Sequence, residues 1–262
     1  MALIDIGVNL THESFQHDLP DVLHRAGKAG VHRMIVTGTS VQATRDALAL
    51  HARHPDRLYA TAGLHPHHAR DFTPQLRDAL AELARQPGVV ALGECGLDYN
   101  RNYSPREAQL RAFAGQLELA VALQLPVFLH QRDAHADFLA VLRDFVPQLP
   151  AAVAHCFTGA GNELDDCLAL GLSIGITGWI CDERRGRHLL PLMARIPAQR
   201  LMIETDAPYL LPRSLRPHPP SRRNEPAFLP EVVRTIAAAR GETIEQLAAS
   251  STAAAVQFFS LP

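Results

Sequence analysis

Eight short apolar runs punctuate the chain, at positions 3–8, 33–37, 58–63, 89–93, 126–129, 151–154, 172–176 and 201–203. They are continuous rather than alternating, which predicts strands buried on both faces, as in a parallel sheet. Helical patterns fill the intervals. Thr73 before Pro74 reads as an N-cap followed by proline at the first helical position. Ser104-Pro105-Arg106-Glu107 reads as a capping box with the same proline. Gly30 and Gly171 stand where helix C-caps belong, and Thr243-Ile244-Glu245-Gln246 opens a last helix after the eighth run. Strict alternation of strand and helix predicts a parallel α/β sheet, and eight units predict a TIM-like (β/α)8 barrel spanning 1–262 as one domain. A doubly wound open sheet is the alternative. It fits less well, because ligand-type residues end runs four, five, six and eight instead of clustering at one switch point.

Those ligand-type residues are Glu94, His130, His155 and the Glu204-Thr205-Asp206 triplet. The C-terminal ends of barrel strands open on one face, so these side chains are expected to converge. Two imidazoles and two carboxylates there make a divalent-metal site with room for water, which predicts a metal-dependent hydrolase. Each residue alone has a blander reading. Glu94 could be a salt-bridged rim carboxylate, and a lone histidine after an apolar run is more often a satisfied core residue. Two histidines ending consecutive strands are hard to explain as core filling. Asp206, further out than Glu204, is the better ligand or proton acceptor, and Glu204 the better supporting partner. Of the histidines in Gly63-Leu64-His65-Pro66-His67-His68, His65 is nearest the strand and the best candidate. Run one supplies Asp5 and Asn9, and Arg132 follows His130 with a planar fork suited to phosphate.

Composition narrows the picture. With 262 residues, 47% hydrophobic content and a net charge of −2, the chain can bury one large core and has no global positive field to gather nucleic acid. An anionic substrate must be held by local groups or by a metal. Lys28 is the one lysine beside 24 arginines, a bias too general to carry function. The four cysteines form no C-x-x-C pair and read as reduced cytosolic core residues. Cys95 and Cys156, next to Glu94 and His155, are expected to point outward under helices by strand alternation. No secretory or membrane-spanning pattern appears, so a cytoplasmic protein is expected. Residues 212–226 carry five prolines and four arginines and should lie over the active face, with Arg222 and Arg223 as phosphate contacts.

The motifs Gly93-Glu94-Cys95-Gly96-Leu97-Asp98, His155-Cys156-Phe157-Thr158-Gly159 and Glu204-Thr205-Asp206-Ala207-Pro208-Tyr209 resemble those of the TatD-type metal-dependent deoxyribonucleases of the amidohydrolase superfamily. Ile176 to Gly186 and Ser221 to Pro226 resemble the namesake bacterial branch rather than its paralogues. The resemblance covers nearly the whole chain. It implies a 3′–5′ exonuclease acting on single-stranded DNA ends and on RNA, in repair or turnover of nucleic acid. It implies that Glu94, His130, His155 and Asp206 hold divalent metal, with Glu94 and Asp206 also in the chemistry. His65 and Arg132 would meet substrate phosphate, and Asp5, Asn9, Asp98 and Glu204 would support the ligands. Many members carry an H-x-H pair at the end of strand one, where this chain has Gly7 and Asn9. One tight metal position is therefore expected, with Mg²⁺ favoured over Mn²⁺ or Zn²⁺. A strand-four lysine bridge of the phosphotriesterase kind is not expected, because Lys28 lies in the first helical pattern. A monomer is expected. The rival readings are an amidohydrolase acting on an amide or ester such as an aminoacyl-tRNA bond, and a non-catalytic metal or nucleic-acid binder.

Overall fold

A computed structural model describes residues 2–262. Eight strands lie in chain order within one all-parallel sheet: β1 Leu3–Val8, β2 Val31–Val36, β3 Leu58–Ala62, β4 Val89–Asp98, β5 Val127–Arg132, β6 Ala152–Ala154, β7 Ser173–Ile176 and β8 Leu201–Ile203. The helices α1 Leu19–Lys28, α2 Val41–Arg53, α3 Pro74–Ala84, α4 Arg106–Leu123, α5 His135–Phe145 and α6 Gly161–Ala169 follow the first six strands. After β7 the α-helix is replaced by a 3-10 segment, Arg187–Arg195. Pro191 lies inside it, and without an N–H it cannot carry an α-helical ladder. The helices α7 Leu229–Arg240 and α8 Ile244–Phe259 complete the ring. This is the TIM-like barrel that the alternation predicts. Among the described residues no helix is long and apolar enough to cross a membrane.

The core has two parts, set by the twofold alternation of side chains along each strand. Leu3, Met34, Val36 and Leu129 face outward beneath the helices. Ile4, Ile6, Ile35, Phe128, Val153 and Met202 fill the barrel interior. The C-terminal part of α8 plugs the bottom of that interior with Ala254, Ala255, Phe258 and Phe259. Each Ile, Val, Met or Phe side chain buried there contributes about 1.5–3 kcal/mol by leaving water. With its lower end plugged, the barrel is accessible only from above.

Among the described residues no ladder joins β8 to β1, and the seam between them is closed by other bonds. The Asp5 carboxylate accepts the Thr205 N–H at 2.9 Å and the Thr205 hydroxyl at 2.5 Å. Above it, Asp206 N donates to Gly7 O and Asn9 N to Ala207 O, both at 2.8 Å. Asp5 is fully buried. It holds Thr205, and through it the two flanking carboxylates, without reaching the cavity itself.

Helix punctuation follows the sequence with one exception. Thr73 accepts from Leu76 N, Thr243 and Gln246 form a capping box, and Gly30 and Gly171 take positive φ beyond α1 and α6. The box expected at Ser104 is absent, since α4 begins after Pro105 with no side-chain cap. The Ser104 hydroxyl instead donates to His67 O and accepts from Arg70 N, fixing the loop after β3.

Candidate metal centre

The upper ends of the strands enclose a cavity of about 600 Å³. Glu94 enters it from the middle of β4 rather than from a strand end. β4 runs on to Asp98 because Gly93 and Gly96, at φ 132° and 143°, let it lie close to β5. A Cβ on either would come within 2.1 and 1.9 Å of the Phe128 and His130 carbonyl oxygens. The pairing with β5 shifts register between Leu92 and Cys95, a bulge that re-aims Glu94 toward the axis.

Three imidazoles surround one oxygen. Glu94 Oε1 lies 2.8 Å from His155 Nε2, 2.9 Å from His130 Nδ1 and 3.4 Å from His65 Nε2. Burial opposes ionisation of Glu94, but the charges of His155 and His65 and hydrogen bonds from His130 and His155 outweigh it and hold its pKa well below the ordinary value. Burial dominates at His65 and pushes the ring down to about 4, so it is neutral at pH 7; its Nδ1 accepts the His67 N–H at 3.1 Å, which leaves Nε2 as the N–H that faces Glu94. At His155 burial is overcome by Glu94 and Glu204, which raise its pKa well above the ordinary imidazole.

Glu204 is fully buried and works from behind. Its Oε2 faces His155 Nδ1 at 3.2 Å, and its Oε1 accepts the Cys156 N–H. The carboxylate sits where Gly7 and Gly175 leave room. A Cβ at residue 7 would stand 2.3 Å from Glu204 Oε2, and one at residue 175 would stand 2.6 Å from Oε1. The missing histidine at position 7 thus has a steric counterpart: Glu204 fills the space.

Asp206 lines the same cavity, accepting from Asn9 Nδ2 at 3.0 Å. Its backbone is left-handed, at φ 54°. Burial, against the pull of His155 and reinforced by Glu94 and Glu204, pushes its pKa up to about 7. A carboxyl poised there suits proton transfer near neutral pH. Asp98 braces the other side, with His67 Nε2 at 2.8 Å and His130 Nε2 at 3.4 Å from its Oδ2. Burial works against that carboxylate's charge, but the close His130 and His67 imidazoles keep its pKa far below the ordinary value.

The sequence reading set His67 aside as a loop residue, yet it joins the network and packs edge-on against the His65 ring at 4.2 Å. The i, i+2 spacing carries the signal, since His65 caps the 3-10 turn Pro66–Asp71 and His67 lies in its first residues. Two cysteines also divide. Cys95 is buried beneath the helices as expected, whereas Cys156 lines the cavity. Its φ of 46° breaks strand alternation just past the end of β6.

The arginines divide too. Arg132 lines the cavity, and its guanidinium has no hydrogen bond or ion pair among the described residues. Arg223 does not reach the cavity. It donates to Asp18, Glu225 and the Ser14 carbonyl, across contacts of 2.6–2.8 Å. Arg222 is exposed and outside the cavity wall. The expectation that both contact phosphate is corrected by this placement, because Arg223 is already neutralised by carboxylates of α1 and its own loop.

These residues fit a divalent cation. Ligand atoms of His65, Glu94 and His130 all lie within 4.8 Å of one another. His130 Nε2 is buried with no hydrogen-bond partner. Burial and, behind it, the nearby Glu94 and Glu204 carboxylates raise Asp206, a cost that a cation would relieve.

Comparison with known proteins agrees with this geometry. Residues 4–260 match the family of TatD related DNases. A 3′-5′ ssDNA/RNA exonuclease TatD of Erwinia billingiae is 55% identical over 260 residues, covering 99% of this chain and 100% of that protein. The protein of that name from Klebsiella pneumoniae is 52% identical, covering 96% and 95%. The solved structure of the TatD homologue YjjV from Escherichia coli superposes with a TM-score of 0.89 at 30% identity, covering 99% of this chain and 98% of that one. The fold and its mouth of histidines and carboxylates define a metal-dependent hydrolase barrel. The chain belongs to the TatD family of metal-dependent nucleases.

Proposed function

We propose that this chain is a metal-dependent 3′–5′ exonuclease that removes nucleotides from the ends of single-stranded DNA and RNA. One observation carries the reading: a carboxylate-and-histidine cluster shares its cavity with an arginine whose guanidinium has no hydrogen bond or ion pair among the described residues. Such a fork, held open beside a cation site, is matched to a phosphodiester.

Glu94, His130, His155 and Asp206 would hold the cation, and Mg²⁺ is favoured over Mn²⁺ or Zn²⁺ because half of the donors are carboxylates. When bound, a divalent ion there polarises a phosphate oxygen and acidifies a water. Asp206, whose carboxylate lines the cavity beside the cation site, takes the proton released by the attacking water as the phosphorus is attacked. Asn9 fixes the carboxylate's direction, and Glu204 fixes the His155 ring. His65 and Arg132 lie against the departing and non-bridging oxygens, where negative charge accumulates. Every ligand comes from one barrel, which suits a monomer, and the reading extends to cytoplasmic repair or turnover of nucleic acid.

Digestion of end-labelled single-stranded DNA, duplex and RNA by metal-reconstituted protein tests the reading. Stepwise loss of mononucleotides from 3′ ends, abolished by chelation, is the expected result. Intact nucleic acid with every metal, alongside turnover of an amide or ester panel, would overturn it.

A further inference from the structure

A second cavity, of about 390 Å³, opens beside the first. The two share Gln131, Arg132, His155, Thr158 and Trp179 as lining, so they adjoin along a waist at Arg132 and Trp179. Its size matches the lower end of small-ligand pockets. The lining is chemically unlike that of the metal centre. Phe157 and Trp179 give it aromatic surface, and Asn100, Asp133 and Thr158 give it polar groups. The Thr158 hydroxyl has no hydrogen-bond partner among the described residues, while its carbonyl faces His188 Nε2 at 3.0 Å.

Charge decides what belongs there. Asp133 and Glu163 line this second space, so a phosphate would be repelled from it. Cationic groups stand at the waist instead. Arg185 lies 4.3 Å from the centre of the Trp179 ring and Arg132 lies 5.8 Å from it. Asp182 holds Arg185 through its Nε at 2.9 Å. A nucleotide lying across this waist would leave its phosphate at Arg132, the arginine without a carboxylate partner among the described residues. Its flat, uncharged, hydrogen-bonding part would enter the second cavity.

We infer that the cavity bounded by Trp179, Phe157, Thr158 and Asp133 is a nucleobase subsite, taking the base of a nucleotide next to the scissile phosphate. This deepens the exonuclease reading and rests on it. A base must leave its stack and its partner to enter, so the subsite also selects single strands over duplexes.

The test uses metal-loaded protein and 5′-labelled single strands. One strand is intact, one lacks the base of the 3′-terminal nucleotide, and one lacks the base of the penultimate nucleotide. Losing the base at one of these positions should lower kcat/KM for the first cleavage on the order of tenfold, as loss of one stacked base does. Ala160 is exposed and lines only the second cavity, so Ala160→Phe should fill that space. That variant should cleave the intact strand no faster than the base-lacking one, and the base-lacking strand at the wild-type rate. Trp179→Ala, which removes the shared wall, should erase the same discrimination. Equal cleavage of all three strands by the wild type overturns the inference, as does full discrimination in Ala160→Phe. A wild type that cleaves none of the strands overturns the exonuclease reading, and this inference with it.

Discussion

Two arginine-bearing regions border the mouth of this barrel, and they have opposite fates. The loop after β8 holds four arginines within 212–226. Arg213 pairs with Glu183 at 3.0 Å, and Arg223 pairs with Asp18 and Glu225. Arg25 of α1 joins the same cluster through Glu225 at 2.8 Å. The end of β5 holds a single arginine, Arg132, whose guanidinium meets no carboxylate. The abundant region fastens the loop down, and the sparse one is free to meet substrate. A guanidinium already satisfied by carboxylates must break those bonds before it can grip phosphate, so the number of arginines says little about where phosphate goes.

The largest expected effect fixes the centre both regions surround. Asp206→Asn should lower kcat by about 10²–10⁴-fold, as loss of a proton acceptor does, while retaining the fold. Single-turnover kinetics with melting as control checks this, and near-normal turnover would move the chemistry away from Asp206.

Arg132→Ala comes next. Loss of a charge-assisted contact worth about 1.5–3 kcal/mol should lower kcat/KM on strands by roughly ten- to hundredfold. It should also flatten the salt dependence of strand binding, because fewer counterions are released. Measured beside it, Arg223→Ala should leave the salt slope unchanged. If the slopes respond the other way round, the contrast between the regions is reversed.

The effect of Arg223→Ala should instead appear in stability, as a loss of about 1–2 kcal/mol for a partly buried, multiply bonded guanidinium. Hydrogen bonding and charge from Arg223 and Arg25 hold the Asp18 pKa below its ordinary value. The stabilisation from Asp18 is therefore complete at neutral pH. It fades only as pH falls below about 4 and through the lowered folded-state value. Urea melts from pH 7 to pH 3 should show wild type and variant converging toward the acid end. Parallel curves would mean that Asp18 is not the partner that counts.

Gly7→Ala probes the cradle of Glu204. The added Cβ would stand 2.3 Å from Glu204 Oε2 and 3.0 Å from the Phe128 ring, so overpacking of about 1–3 kcal/mol is expected. Metal titration of the wild type should show one tight site. Two equally tight ions would show that Gly7 and Asn9 do not limit the centre to one. The smallest effect is that of Arg222→Ala. The side chain is exposed and outside the cavity, so activity and salt slope should stay within error. A clear loss would return the loop to the substrate path.

Much of the site was legible because it hangs on local pattern. Short apolar runs fix where strands lie, and a polar residue that interrupts buried strand must be paired or functional. Glu94, His130, His155 and Asp206 stood out for that reason. His67 did not, because its value comes from Asp98, thirty-one residues away, across the gap between the loop after β3 and β4. Cys156 and the Ser104 capping box were misplaced because one left-handed φ and one loop hydrogen bond each override a local rule.

The sequence by itself determined the barrel, its order and the kinds of atom gathered at its mouth, since hydrophobic periodicity and residue chemistry are properties of neighbouring positions. Only the tertiary structure decided which charged groups are spent on one another and which remain free. Arg223 meets Asp18 across 205 positions, Asp5 meets Thr205 across 200, and Arg132 meets no carboxylate among the described residues. Such pairings depend on distances through space. A chain closed into a ring brings its first and last strands together in a way that no local window of sequence records.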